Sequence, residues 1–271
     1  MPMIFKSINY KHSKVSYHRF GNGKEIMVAF HGFNQSGQSF SYFEEILEKR
    51  FTVIAIDFFW HGESVWKEEQ DFSDADMCNI VWQIASREGF KHQKFSVCSF
   101  SMGARMARAL VKNYAHQINY FIMLSPPTFA FNKFLNFTTN NPIGLAAFKY
   151  FLNTPGSLQK CVGFLNKVKI LNRSIYVFTS KFVGNQQRLE KVYNTWYSQR
   201  KLQTDFNEFA KLVNKNQIKV ILVVGKGDLI TPPLPMIKYV RKMQNSSVFI
   251  LQKKHELATQ QTKQFFASLF A

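Results

Sequence analysis

The stretch Phe95-Ser96-Val97-Cys98-Ser99-Phe100-Ser101-Met102-Gly103-Ala104-Arg105 decides how this chain is read. It opens as a short apolar run, turns through small residues around Ser101, and continues into sequence rich in alanine (Ala104, Ala107, Ala109) that favours a helix. A strand that turns sharply into a helix crowds the positions two before and two after the turn, here Ser99 and Gly103, and exposes the Ser101 hydroxyl between them. The Met102 N–H then lies at the helix start, where it can donate to an anion. The alternative is a Ser-rich turn of no chemical meaning. Ser99 stands where glycine is commoner in such turns, so the rest of the chain has to decide.

Working outward, residues 26–30 (Ile-Met-Val-Ala-Phe) and 51–56 (Phe-Thr-Val-Ile-Ala-Ile) are apolar runs rich in β-branched and aromatic residues, and they predict buried strands. The pattern returns at 95–98, 120–124, 220–224 and 247–251. Helical patterns fall between them at 40–49, 74–87, 102–114, 233–243 and 259–270. Alternation with short connections predicts an α/β fold: a mostly parallel sheet with helices on both faces, and sites at the carboxyl ends of the strands. The alternation stops between Pro126 and Asn216. There, helix-like segments at 131–137, 143–152, 158–171 and 187–213 carry Phe, Leu, Trp and Tyr at helical spacing. The expected organisation is a core made of residues 1–125 and 217–271, with residues 126–216 inserted as a helical cap.

Three further features bear on Ser101. The first strand ends in Phe30-His31-Gly32-Phe33, a tight turn from which the Phe33 N–H can supply a second anion donor. Asp57-Phe58-Phe59-Trp60-His61-Gly62-Glu63-Ser64 follows the next strand as a loop. Val224-Gly225-Lys226-Gly227-Asp228 ends a late strand with a carboxylate, and His255 follows the last strand.

At these residues the sequence resembles the α/β-hydrolase superfamily, in its cap-bearing serine branch, and the order Ser101, Asp228, His255 matches. The resemblance implies that Ser101 attacks a carbonyl, that His255 takes and returns its proton, and that Asp228 orients the imidazole. It also implies an oxyanion hole from the N–H groups of Phe33 and Met102. Lys254 stands where the family has glycine before the histidine, which bears on the local loop geometry. The serine at 101 excludes the branches with an aspartate nucleophile, and the strand ending Leu124-Ser125-Pro126-Pro127 offers no competing acid. His31 and His61 resemble turn residues that hydrogen-bond locally in this family. Asp205, Glu208 and Glu256 are expected on the surface.

Composition limits the partners. The chain has 271 residues, 46% of them hydrophobic, in runs too short to reach the roughly 18 to 20 apolar residues of a membrane span. The first ten residues lack the apolar core of a signal peptide, and three cysteines, Cys78, Cys98 and Cys161, lack metal-ligand spacing. A cytoplasmic protein without metal or cofactor is expected. A thiol nucleophile would need an exposed turn or a neighbouring histidine, which none of the three has. The net charge of +18 is uneven: residues 1–88 hold 9 basic and 12 acidic side chains, residues 89–189 hold 13 basic and none acidic. Such a field attracts anions. The basic residues are scattered singly and no nucleic-acid motif accompanies them, so a small anionic molecule is expected rather than DNA or RNA. A Lys- and Asn-rich composition without functional meaning is the alternative.

Arg105 lies one helical turn beyond Ser101, and Ser101-Met102-Gly103-Ala104-Arg105 resembles the elbow of menaquinone-pathway SHCHC synthases, where that arginine meets substrate carboxylate. Arg105 is therefore a candidate substrate-binding residue, against the alternative of a helix-pairing one. Three functions stand open on these residues: hydrolysis of a carboxylic ester or thioester through an acyl-enzyme, C–C bond cleavage of the SHCHC synthase type, and a non-catalytic ligand receptor on the same scaffold.

Overall fold

The computed structural model describes residues 3–169, 171–181, 185–202 and 205–270. Strands β1 (Ile4–Tyr10), β2 (Ser13–Phe20), β3 (Glu25–Phe30), β4 (Phe51–Ile56), β5 (Phe95–Phe100), β6 (Ile118–Leu124), β7 (Lys219–Gly225) and β8 (Ser246–Leu251) form one sheet. Their order is β1-β2-β4-β3-β5-β6-β7-β8. From β4 to β8 every neighbouring pair is parallel, while β1 and β2 join antiparallel at one edge.

Helices cover both faces: α1 (Glu44–Leu47), α2 (Asp74–Arg87), α3 (Gly103–Tyr114), α10 (Pro233–Val240) and α11 (Gln260–Phe270) lie among the strands in chain order. Between β6 and β7 come α4 (Phe129–Asn140), α5 (Pro142–Asn153), α6 (Pro155–Lys167), α7 (Arg173–Thr179), α8 (Gln186–Ser198) and α9 (Phe206–Lys215). Side chains alternate across a strand, so each central strand feeds two cores. Val28, Val97, Phe121 and Leu222 pack with Val81, Leu110, Phe209 and Val240 on one face. Met27, Cys98, Ile122 and Val223 pack with Phe40, Phe43 and Phe266 on the other. A third cluster, centred on Phe131, Phe178 and Trp196, belongs almost entirely to the helices between β6 and β7.

The strand and helix pattern holds, with local differences that have physical causes. Helix α2 starts where expected because Ser73 and Asp76 form a capping box: the Asp76 N–H donates to Ser73 Oγ and the Ser73 N–H to the Asp76 carboxylate. The helix expected at 40–49 is instead a 3-10 segment, Gly37–Phe43, followed by the single turn α1. The helix expected at 187–213 is two helices, α8 and α9, and Gln203 and Thr204, in the same expected helix, lie outside the described residues. Asp205 caps α9 by accepting the Glu208 N–H, and the intervening carbonyls of Gln199 and Leu202 face Arg105. Helix α6 stops at Lys167, and Lys169 takes φ +57, a left-handed backbone that ends a helix; Ile170, in the same expected helix, lies outside the described residues. Strands β1 and β2 escape the apolar pattern because β2 buries Ser13, Ser16 and His18. Ser16 is satisfied by donating to the Asp57 carboxylate at 2.7 Å. Among the described residues no helix is long and apolar enough to cross a membrane.

Candidate active site

Ser101 follows the last residue of β5 and stands two residues before the first of α3, at φ +50. The left-handed conformation costs of order 1–3 kcal/mol for a non-glycine residue and persists only where the surroundings impose it. Here they do: the Ser101 N–H donates to the Leu124 carbonyl at 2.9 Å, and the Ser101 carbonyl accepts from the Ala104 N–H at 3.0 Å. A Cβ at Gly103 would lie 2.3 Å from the Phe30 carbonyl oxygen, so only glycine fits beside β3. Ser99 is fully buried, and its hydroxyl is satisfied by donating to the Ile122 carbonyl at 3.2 Å.

Asp228 lies just beyond β7 and is 2% exposed. Its Oδ1 accepts the N–H groups of Ile230 and Thr231 at 2.9 and 2.8 Å, and its Oδ2 accepts the Thr231 hydroxyl at 2.7 Å. Burial pushes the carboxyl pKa up, but the hydrogen bond and charge of His255, with the Thr231 bonds, outweigh burial and hold it below the ordinary value. Oδ2 lies 2.7 Å from His255 Nδ1, and His255 Nε2 lies 2.9 Å from Ser101 Oγ. With an ionised carboxylate at Nδ1, that nitrogen carries the proton, and Nε2 is left to accept from the Ser101 hydroxyl. The three residues singled out in the sequence therefore form one hydrogen-bonded line.

The loop bearing His255 is anchored by Leu257, 1% exposed, and by Lys253, whose ammonium donates to the Glu256 carbonyl. Burial presses the Lys253 pKa down to about 8. Lys254 points to solvent with no positive φ, so the loop does not need the family's glycine there. Cys98 is fully buried in β5 and burial pushes its thiol up, so a thiolate is disfavoured.

Ser101 and His255 open on a cavity of about 460 Å³. Phe33 and Met102 line it, Met102 at the start of α3 and Phe33 in the loop after β3. Two histidines clip that loop to the loop after β4. His31 Nε2 accepts the Phe58 N–H and His61 Nε2 accepts the Asn34 N–H, both at 3.0 Å, while their Nδ1 atoms face the carbonyls of Gly32 and Phe59. Burial lowers both imidazole pKa values, that of His61 to about 3, so both rings are neutral and hold one tautomer. The far wall of the cavity is apolar, with Phe131, Leu135, Phe178, Trp196 and Ile230, and the charged side chains among the described residues lining it, Arg105, Lys181, Arg188 and Lys191, are all basic.

Arg105 is 5% exposed, and its guanidinium is taken up by protein. Nη1 donates to Asn132 Oδ1 at 3.0 Å, and Nη2 to the carbonyls of Gln199 and Leu202 at 3.2 and 3.0 Å. It ties α3 to α4 and to the segment after α8. Sequence reasoning did not find Thr231 or Asn132. Thr231 had a signal, since a hydroxyl three residues after an aspartate can fold back onto it in a tight turn. Asn132 had none.

The family described as alpha/beta hydrolase fold matches residues 25–257. No curated protein matches the chain. Among solved structures it is similar to an esterase from Thermogutta terrifontis, at 15% identity and TM-score 0.67, over 99% of this chain and 97% of that one. It is also similar to the thioesterase domain from the curacin biosynthetic pathway, at 15% identity and TM-score 0.66, over 100% and 99% of the two chains. A serine hydrolase of carbazole degradation is similar at 16% identity and TM-score 0.64, over 98% and 97%.

Proposed function

Because the chain belongs to the α/β-hydrolase fold family, we propose that it is a serine hydrolase cleaving a carboxylic ester or thioester through an acyl-enzyme. The observation that carries this reading is the line Asp228–His255–Ser101, with contacts of 2.7 and 2.9 Å, ending on a serine in left-handed backbone at the floor of a cavity. In the reaction, Ser101 Oγ bonds to the acyl carbon while its proton passes to His255 Nε2. The resulting imidazolium is stabilised by the Asp228 carboxylate. The carbonyl π electrons move to oxygen, where the N–H groups of Phe33 and Met102 receive the oxyanion. Collapse expels the alcohol or thiol with the proton from Nε2. Water, deprotonated by the same nitrogen, then releases the acid and restores Ser101.

In this reading residues 126–216 act as a cap that supplies the acyl pocket through Phe131, Phe178 and Trp196. Lys181, Arg188 and Lys191, without an acidic residue in the lining, favour a substrate with an anionic group at the cavity mouth. Arg105 acts as a brace, since two of its nitrogens already donate to protein acceptors. That use of Arg105 gives the SHCHC synthase type of reaction no specific support. The free thiols of Cys78, Cys98 and Cys161 accord with a reducing, cytoplasmic setting.

The test is intact-protein mass after exposure to a small fluorophosphonate. One adduct on the native chain and none on Ser101→Ala is expected. An unmodified native chain, or equal labelling of both, would overturn the assignment.

A further inference from the structure

A second cavity, of about 590 Å³, lies between α3, α4 and the start of α9 and is lined by Arg105, Arg108, Lys133, Asn136 and Lys201, with Asp205 as the one acidic side chain among the described residues that line it. Arg105 and Asn132 stand in the wall shared with the Ser101 cavity. Arg108 is the anomaly. It is 4% exposed, yet its guanidinium makes no hydrogen bond or ion pair with any described residue, and its Nε and Nη1 are buried without partners. Its contact is the face of Phe206, 4.4 Å from the ring centroid. Arg105 adds a third unpartnered donor, Nε. The nearby acid Asp74 is already paired with Lys112 at 2.9 Å.

A buried charge without a partner is strongly destabilising, and a cationic contact with an aromatic face offsets only part of that cost. Burial lowers the arginine pKa values, to about 9 for Arg105 and about 10 for Arg108, which leaves both charged at pH 7. Four cations around one carboxylate leave an excess of positive charge that suits a dianion. A guanidinium presents parallel N–H groups to phosphate oxygens, and a lysine adds a point charge.

We propose that this cavity binds a phosphate group, either free or carried by a small metabolite, against Arg108, Lys133 and Lys201. The site is separate from the Ser101 chemistry and does not depend on it.

Thermal unfolding in a phosphate-free buffer, with chloride added to matched ionic strength as the control, tests this. The probes are inorganic phosphate and phenyl phosphate. At a concentration about one hundred times Kd the midpoint should rise by about 5 °C or more. A rise with both probes assigns a free anion site, and a rise with the ester alone assigns a phosphorylated metabolite. Arg108→Met removes the unpaired charge. It should fold with a midpoint at or above that of the parent in phosphate-free buffer and lose the phosphate response. Lys133 and Lys201 are exposed, so a Lys133→Gln/Lys201→Gln variant keeps the fold and should lose at least half of the shift. No shift beyond the chloride control, or an undiminished shift in both variants, overturns the proposal.

Discussion

Along β4 and β5 every residue is buried, whereas α5 buries only Gly144 and Phe148 of its twelve. Among the described residues, four of the seven large apolar side chains exposed by half or more, Phe137, Ile143, Tyr150 and Phe164, fall between β6 and β7, and the other three, Trp60, Leu234 and Ile250, lie in the loop after β4, in α10 and in the edge strand β8. A central parallel strand is covered on both faces and so has little freedom in sequence. A helix over a cavity needs apolar residues only where it meets the cavity and its neighbours. The difference separates two tasks: in the proposed enzyme, the strand ends hold Ser101, Asp228 and His255, and the helices between β6 and β7 shape what reaches them.

If that division holds, the largest effects on turnover come from the strand ends. Ser101→Ala should lower ester turnover by about 10⁴-fold or more, with a thermal midpoint equal to or above the parent's because alanine removes no packing. Retained turnover would break the comparison at its strongest point. Asp228→Asn should cost about 10⁴-fold in kcat, since an amide no longer fixes the proton on Nδ1. Here stability moves as well. The Asp228 carboxyl is held below its ordinary value of 3.8 in the folded chain, so its contribution is complete above that pH and is lost as pH falls through the lowered folded value. The gap between the midpoints of parent and Asp228→Asn should therefore be constant near neutral pH and shrink only in strong acid. A gap that closes near pH 6 would point to a different group.

Much of this site was legible because its residues sit where strands end. Apolar runs mark the strands, and Ser101, Asp228 and His255 each follow one, so chain order alone brought them to one edge of the sheet. The 3-10 segment Gly37–Phe43 was not legible, because its Phe40 and Phe43 satisfy a helical spacing as well as a tighter turn. Nor were β1, which buries only Ile8 and Tyr10 of its seven residues, and β2, whose buried Ser16 and His18 meet Asp57 in a long-range arrangement that no local pattern encodes. For Arg105 the sequence offered a substrate-binding role and a helix-pairing one, and its acceptors were not legible, since Gln199 and Leu202 are 94 and 97 residues away.

A smaller effect should appear when each region is hollowed in turn. Phe121→Ala in β6 and Trp196→Ala in α8 remove buried aromatic side chains of 0% and 3% exposure, and each should cost about 3–5 kcal/mol locally. The distribution should differ. Phe121 packs against Phe209 and the sheet core, so its loss should lower hydrogen-exchange protection in all the central strands. Trp196 meets Phe131, Phe148 and Phe178, so its loss should release α4, α5 and α7 while β5 and β6 keep their protection, and KM should rise more than kcat falls. Equal loss of protection everywhere would mean that the helices and the sheet unfold as one unit.

The smallest change sharpens the boundary itself. Lys191 of α8 reaches across to the loop after β3, donating to Asn34 Oδ1 at 2.9 Å, and Asn34 in turn donates its N–H to His61. Lys191→Met keeps the aliphatic stem and removes the charge and the hydrogen bond. For an exposed contact the stability change should stay within about 1 kcal/mol. The kinetic change should depend on the substrate. A neutral ester should be cleaved as before, and an ester carrying a carboxylate or phosphate in its leaving group should show KM raised several-fold, with the difference vanishing at high salt. If neutral and anionic esters respond alike, Lys191 acts by fastening α8 to the loop that carries Phe33. The helices between β6 and β7 and the strand ends would then share one mechanical element rather than divide chemistry from selection.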